Sequence, residues 1–228
     1  DHETADNCFW DYDDDALGLP LRHPLQSGGK NERNALKLAS QRAWMEYVPA
    51  RVKLNPNAQH PWEYLSIYRS FCFGKLAELY MTDTRTYRSD TNGKRQATML
   101  GAEQKQWIIS GMKTSQAQWQ IWGNQCLFSQ FGILERASGK NLALLAGKDA
   151  WDGYPEERQF FLESLKGTVD GRLLILTGDM HTYLASYVKL DFNQSANDDK
   201  NNVIGLELMT PSVTSPYFAE LLKLRADN

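Results

Sequence analysis

The run Leu173-Leu174-Ile175-Leu176 constrains the fold more than any other stretch of this chain; the turn Asp170-Gly171 delivers it and Thr177-Gly178-Asp179-Met180-His181 closes it. Four consecutive apolar residues between turn signals read as a strand covered on both faces, the kind that fills parallel sheets. Open sheets of this kind gather ligands at the carboxyl ends of their strands, where side chains project from a rigid edge into a crevice. Asp179 and His181 stand at that position, two residues apart. A carboxylate and an imidazole there offer oxygen and nitrogen donors to a metal ion. The same letters also fit a Gly-Asp turn followed by an unrelated histidine, and the stretch alone leaves both readings open.

The rest of the chain supplies layers for such a strand. Leu36, Ala39, Ala43 and Tyr47 recur at spacings of three and four, which predicts an amphipathic helix over 34–48, stopped by Pro49. Strands are expected over 67–73 and 76–81, joined by a Gly74-Lys75 hairpin, with a polar loop from Asp83 to Gly93. A helix over 102–112 and a strand over 119–125 follow. Pro155 opens and Gly167 closes a short helix carrying Phe161 and Leu165. Ile204, Leu206 and Leu208 alternate, as in a strand with one buried side. Helices mixed with strands argue for a layered α/β sandwich.

Composition narrows the partners. A formal net charge of −3 gives no electrostatic ground for a nucleic-acid or membrane partner. No apolar run approaches the roughly 20 residues that cross a bilayer. Cys8, Cys72 and Cys126 are too few and scattered for a disulfide framework or zinc knuckle, and read as small packing residues. Asp1-His2-Glu3, with Asn7 close behind, reads either as a solvated end or as further metal donors. Trp151-Asp152-Gly153-Tyr154-Pro155, followed by Glu156, has three readings. It packs a loop onto the core, walls a pocket, or forms an aromatic platform with paired carboxylates for sugar hydrolysis.

Several stretches occur in a telling order. They are Asp1-His2-Glu3, Tyr68-Arg69-Ser70-Phe71, Leu76-Ala77-Glu78-Leu79, Asp83-Thr84-Arg85-Thr86-Tyr87-Arg88 and Leu100-Gly101-Ala102-Glu103-Gln104. Gly123-Asn124-Gln125, Trp151-Asp152-Gly153-Tyr154-Pro155 and Thr177-Gly178-Asp179-Met180-His181 complete the series. In that order the chain resembles the PhoD-type alkaline phosphatases and phosphodiesterases of the metallophosphoesterase class, from Asp1 to about Pro216.

The resemblance implies an α/β fold, a calcineurin-like α/β/β/α sandwich incomplete at both ends. Residues 1–228 would be the middle and C-terminal part of the catalytic domain. It implies a multinuclear site for iron and calcium, with other divalent metals possible, and Asp1, Asn7, Asp179 and His181 as metal ligands. His2 would contact the phosphate or protonate the leaving group, and Arg69 would be a second catalytic candidate. Glu3, Arg85 and Asn124 would bind phosphate or orient their neighbours, although either arginine fits an ion pair equally. The family's earlier metal-binding segments, with an iron-binding cysteine and tyrosine, precede the position of Asp1, and none of the three cysteines here stands at that site. The implied activity is metal-dependent hydrolysis of phosphate mono- or diesters, on a small phosphate ester or a phosphodiester, in the periplasm or outside the cell. No protein partner is implied. An inactive folded scaffold and a carbohydrate-active module are the alternatives.

Overall fold

The structure, a computed structural model, describes residues 30–55, 57–58, 61–89, 97–134, 141–144, 150–196, 199–218 and 220. It divides into two compact units, Asp1–Tyr68 with Asp83–Gly101, and Arg69–Thr82 with Ala102–Asn228. The first contains helix α1 (Lys30–Tyr47), strand β1 (Lys53–Leu54), the short helix α2 (Pro61–Tyr64) and strand β2 (Leu65–Ser66). Helix α1 ends two residues before Pro49, whose ring disfavours helical backbone at the residue preceding it. Three of the four residues expected on its apolar side do not face inward, and the side chain of Leu36 lies outside those described. Ala39 and Ala43 are exposed and Tyr47 is 86% exposed, while Gln41 is buried and Trp44 and Met45 are half-buried.

The polar stretch after Thr82 is a loop through Ser89, as expected, but much of it is buried: Asp83, Thr84, Thr86 and Arg88 are enclosed. Their polarity is used internally. Asp83 Oδ1 accepts the N–H groups of Arg85 and Thr86, each at 2.9 Å, and Arg88 Nε donates to the Thr84 carbonyl at 2.7 Å. Buried polar groups persist where each finds such a partner.

The second unit is built on a six-stranded sheet: β3 (Arg69–Phe73), β4 (Ala77–Met81), β5 (Trp119–Gly123), β8 (Leu173–Thr177), β9 (Leu184–Lys189) and β10 (Val203–Met209). The spatial order is β3-β4-β5-β8-β10-β9. Strands β4, β5, β8 and β10 run parallel, and the edge strands β3 and β9 run antiparallel to their neighbours. Gly74, at φ +60°, turns β3 into β4 and sets Phe73 opposite Ala77. Strands β6 (Gly132–Leu134) and β7 (Asn141–Leu144) form a separate antiparallel pair.

Helices α3 (Gly101–Thr114) and α4 (Pro155–Leu165) cover one face of the sheet. Trp107 of α3 meets Tyr80 edge-on at 5.9 Å, and Phe161 of α4 stacks on Trp122 at 4.7 Å. Phe128 and Trp151 close this cluster, their rings 5.0 Å apart. Large aromatics packed this way dominate the burial energy of a core.

The opposite face is open among the described residues. Leu173 and Ile175 are buried but Leu176 is 42% exposed, so the apolar run is not covered on both sides. In strand β10 Ile204 is buried as expected, but beyond it the alternation runs in the opposite sense. Gly205, Glu207 and Met209 point inward and Leu206 and Leu208 outward, after a bulge between Val203 and Gly205. An extra residue in one strand reverses which side chains face the core. Cys126 is buried as expected, Cys72 is exposed on edge strand β3, and Cys8 lies outside the described residues.

Candidate active site

The four parallel strands end on one edge of the sheet. In register, Met81 lies beside Gly123, Gly123 beside Leu176, and Thr177 beside Met209. Main-chain bonds continue past the strand ends: Thr82 N to the Gly123 carbonyl at 3.3 Å, Asn124 N to the Leu176 carbonyl at 3.0 Å, and Thr210 N to the Thr177 carbonyl at 3.0 Å. Residues leaving this edge are therefore held by the sheet itself.

Asp179 and His181 leave it from β8, the strand between β5 and β10. Both have left-handed backbone, at φ +77° and +54°, and among the described residues they are the two non-glycine positions with positive φ. The Met180 N–H reaches back to the Gly178 carbonyl at 3.0 Å, closing a tight turn between them. L-residues avoid this conformation because Cβ crowds the following carbonyl, and strain of this kind gathers at functional sites.

His181 is anchored through its ring. Nδ1 lies 3.0 Å from the Pro216 carbonyl oxygen, and the Phe218 N–H donates to the His181 carbonyl at 3.2 Å. A carbonyl can only accept, so Nδ1 carries a proton, and Nε2 is the nitrogen left to offer a lone pair. Histidines that bind metals show this arrangement, one nitrogen tied to the protein and the other offered to the ion. Asp179, an exposed residue, carries a carboxylate two positions away. The donor types and the fixed tautomer fit a cation. Among the described residues no cluster of three or more His, Cys, Asp and Glu is present, so Asp179 and His181 form a pair of donors rather than a full set.

The other residues singled out from the sequence fall in different places. Asn124 sits at the end of β5 with its amide engaged: Oδ1 accepts from Trp151 Nε1 at 3.2 Å and Nδ2 donates to the Cys126 carbonyl. Arg69 begins β3, on the same edge but three strand spacings from β8, roughly 14 Å at about 4.8 Å per spacing. Arg85 belongs to the first unit, in the turn capped by Asp83. Asp1, His2, Glu3 and Asn7 lie outside the described residues.

Trp151 and Tyr154 are buried, which removes the aromatic sugar platform and supports the packing reading. Asp152 is no surface acid either. Its Oδ1 accepts from Arg158 Nη1 at 2.7 Å and its Oδ2 from the Phe131 N–H at 3.1 Å.

Glu207 escaped the sequence reading. It is fully buried, and its carboxylate accepts the N–H groups of Phe128 (2.9 Å) and Ser129 (2.7 Å) and the Thr177 hydroxyl (2.7 Å). A charged residue amid the alternating apolar letters 203–209 was the available signal.

A mixed sheet with parallel strands ending on one edge, and a strained Asp-x-His pair at the end of β8, defines an α/β protein of the kind that takes ligands at the strand carboxyl ends. A family model described as PhoD-like phosphatase matches residues 1–227, and the chain belongs to that family. It is 29% identical over 191 residues to Alkaline phosphatase D of Bacillus subtilis (strain 168), covering 78% of this chain and 30% of that protein. It is also similar to a solved structure described as "Structure of PhoD", at 27% identity and a TM-score of 0.74, over 94% of this chain and 39% of that one. The chain therefore spans well under half the length of these relatives. Among the described residues no helix is long and apolar enough to cross a membrane.

Proposed function

We propose that this chain supplies part of the active site of a metal-dependent hydrolase of phosphate mono- or diesters, with Asp179 and His181 as metal ligands. One observation carries the reading: both residues hold left-handed backbone at a sheet edge, and His181 Nδ1 is committed to the Pro216 carbonyl. Family membership supplies the reaction class. When bound, the metals supply positive charge against the phosphoryl oxygens and acidify the attacking water.

The chain's own residues bind and orient. Asp179 contributes a carboxylate oxygen and His181 the Nε2 lone pair. Asn124, held by Trp151, would line the site or orient its neighbours. His2 would donate a proton to the departing alkoxide, Asp1 and Asn7 would lie at or beside the metal shell, and Glu3 would orient His2. Arg69 and Arg85 would receive the phosphate oxygens. Iron and calcium are the metals, and the periplasm or the extracellular space the compartment, that the family resemblance favours. Residues 1–228 would then be the middle and C-terminal part of one catalytic domain.

The test compares turnover of p-nitrophenyl phosphate and bis-p-nitrophenyl phosphate, with iron plus calcium added. It uses the 228-residue chain and a longer chain carrying the relatives' remaining segments. The longer chain should be the active one, and Asp179→Asn or His181→Ala in it should lower turnover by at least about 100-fold, as loss of a metal ligand does more than the 10–100-fold loss of an outer partner. Wild-type turnover in both variants would reject the assignment. A longer chain as inactive as the short one would favour a folded scaffold.

A further inference from the structure

Strand β8 stops where two candidate ligands begin, and a single buried carboxylate holds that stop. Glu207 Oε1 accepts the Thr177 hydroxyl at 2.7 Å and the Phe128 N–H at 2.9 Å, and Oε2 accepts the Ser129 N–H at 2.7 Å. Thr177 is the last residue of β8, two positions before Asp179. Phe128 and Ser129 belong to the loop that leaves β5 through Asn124 and Gln125. One side chain therefore ties the end of β8 to the loop after β5, across the base of the turn Gly178–His181.

Burying an ionised carboxylate is costly, and three charge-assisted bonds offset the cost without making it a better choice for stability than an apolar residue. The neighbouring inward residues of β10, Gly205 and Met209, are apolar. What the carboxylate adds is direction, because its bonds fix where the chain leaves the sheet.

We propose that Glu207, acting through Thr177, is a positioning residue that sets the geometry from which Asp179 and His181 present their donors. The proposal rests on the metal-ligand reading of that pair. It goes further in assigning a role to two residues that touch neither metal nor substrate.

Thr177→Val removes the hydroxyl donor with little change of shape, and Thr177→Ser keeps it. Two readouts apply: amide hydrogen exchange on the 228-residue chain, and affinity for Mn²⁺ by calorimetry on the longer chain carrying the relatives' remaining segments. In Thr177→Val, exchange across 178–183 should rise about 10-fold relative to the amides of Leu173–Ile175, and Mn²⁺ affinity should fall about 10-fold, the scale of a lost outer partner. Thr177→Ser should restore both. A uniform rise across the whole sheet would show a role in stability alone and overturn the proposal, as would unchanged exchange at 178–183. His181→Ala separates the two claims. If Mn²⁺ binding by the longer chain is absent, or survives that change, the metal reading fails, and the exchange comparison still decides the role of Glu207.

Discussion

Left-handed backbone at Asp179 sets the energetic preference of the fold against the carboxylate that the proposed metal site requires. At φ +77° a Cβ is disfavoured, whereas glycine accepts the angle. Asp179→Gly should therefore be more stable than Asp179→Ala by about 1 kcal/mol, the reverse of the order at an ordinary position, and neither should bind metal. Urea unfolding of the two variants checks this, and Ala exceeding Gly would mean the residue is not held left-handed. A second residue-scale test concerns the buried pair Asp152–Arg158, joined at 2.7 Å. Arg158→Met leaves the carboxylate uncompensated and should cost about 3–5 kcal/mol, part of which Asp152→Asn in the same chain should recover. If Arg158→Met unfolds at the wild-type urea concentration, the pair does not hold the loop.

At the scale of elements, the legible features were those written locally. Pro155 and Gly167 bracket helix α4, and Gly167 holds φ +75° just past its end. The strand ending at Thr177 was legible for the same reason, since its apolar run and the Gly178-Asp179 turn that stops it are contiguous. Which side of a strand faces inward was not local. Leu206 and Leu208 look like core residues, but the bulge in β10 and helices distant in sequence bury Gly205, Glu207 and Met209 instead. Glu207 gave little sign of its role because its main-chain donors, Phe128 and Ser129, lie 79 and 78 residues away. The bulge carries a prediction. A Cβ on Gly205 would meet the Leu173 carbonyl oxygen at 2.6 Å, and that atom belongs to the paired backbone, so it cannot swing aside. Gly205→Ala should destabilise by about 1–3 kcal/mol, as overpacking does, although alanine usually improves on glycine within a strand. A thermal midpoint at or above the wild type would show that β10 can shift away from β8.

For the whole chain, the open face of the six-stranded sheet matters most. Phe71, Leu79, Ile121, Leu174, Leu206 and Tyr187 lie side by side in register across all six strands, with Met81, Leu176 and Leu208 in the next row. Leu206 is 45% exposed, and Phe71, Leu176, Tyr187 and Leu208 are exposed with it. Soluble monomers rarely leave so continuous an apolar patch in water, because each uncovered Å² forgoes roughly 25 cal/mol. A net charge of −3 opposes association only weakly. The 228-residue chain alone should therefore bind 8-anilinonaphthalene-1-sulfonate and sediment as more than a monomer at micromolar concentration. Leu176→Lys combined with Leu206→Lys should lower both signals while leaving unfolding free energy within about 0.5 kcal/mol per site, the scale of surface changes. A monomeric, dye-silent wild type would mean that this face is already covered. The double variant would then lose stability, because its lysines would enter a packed layer.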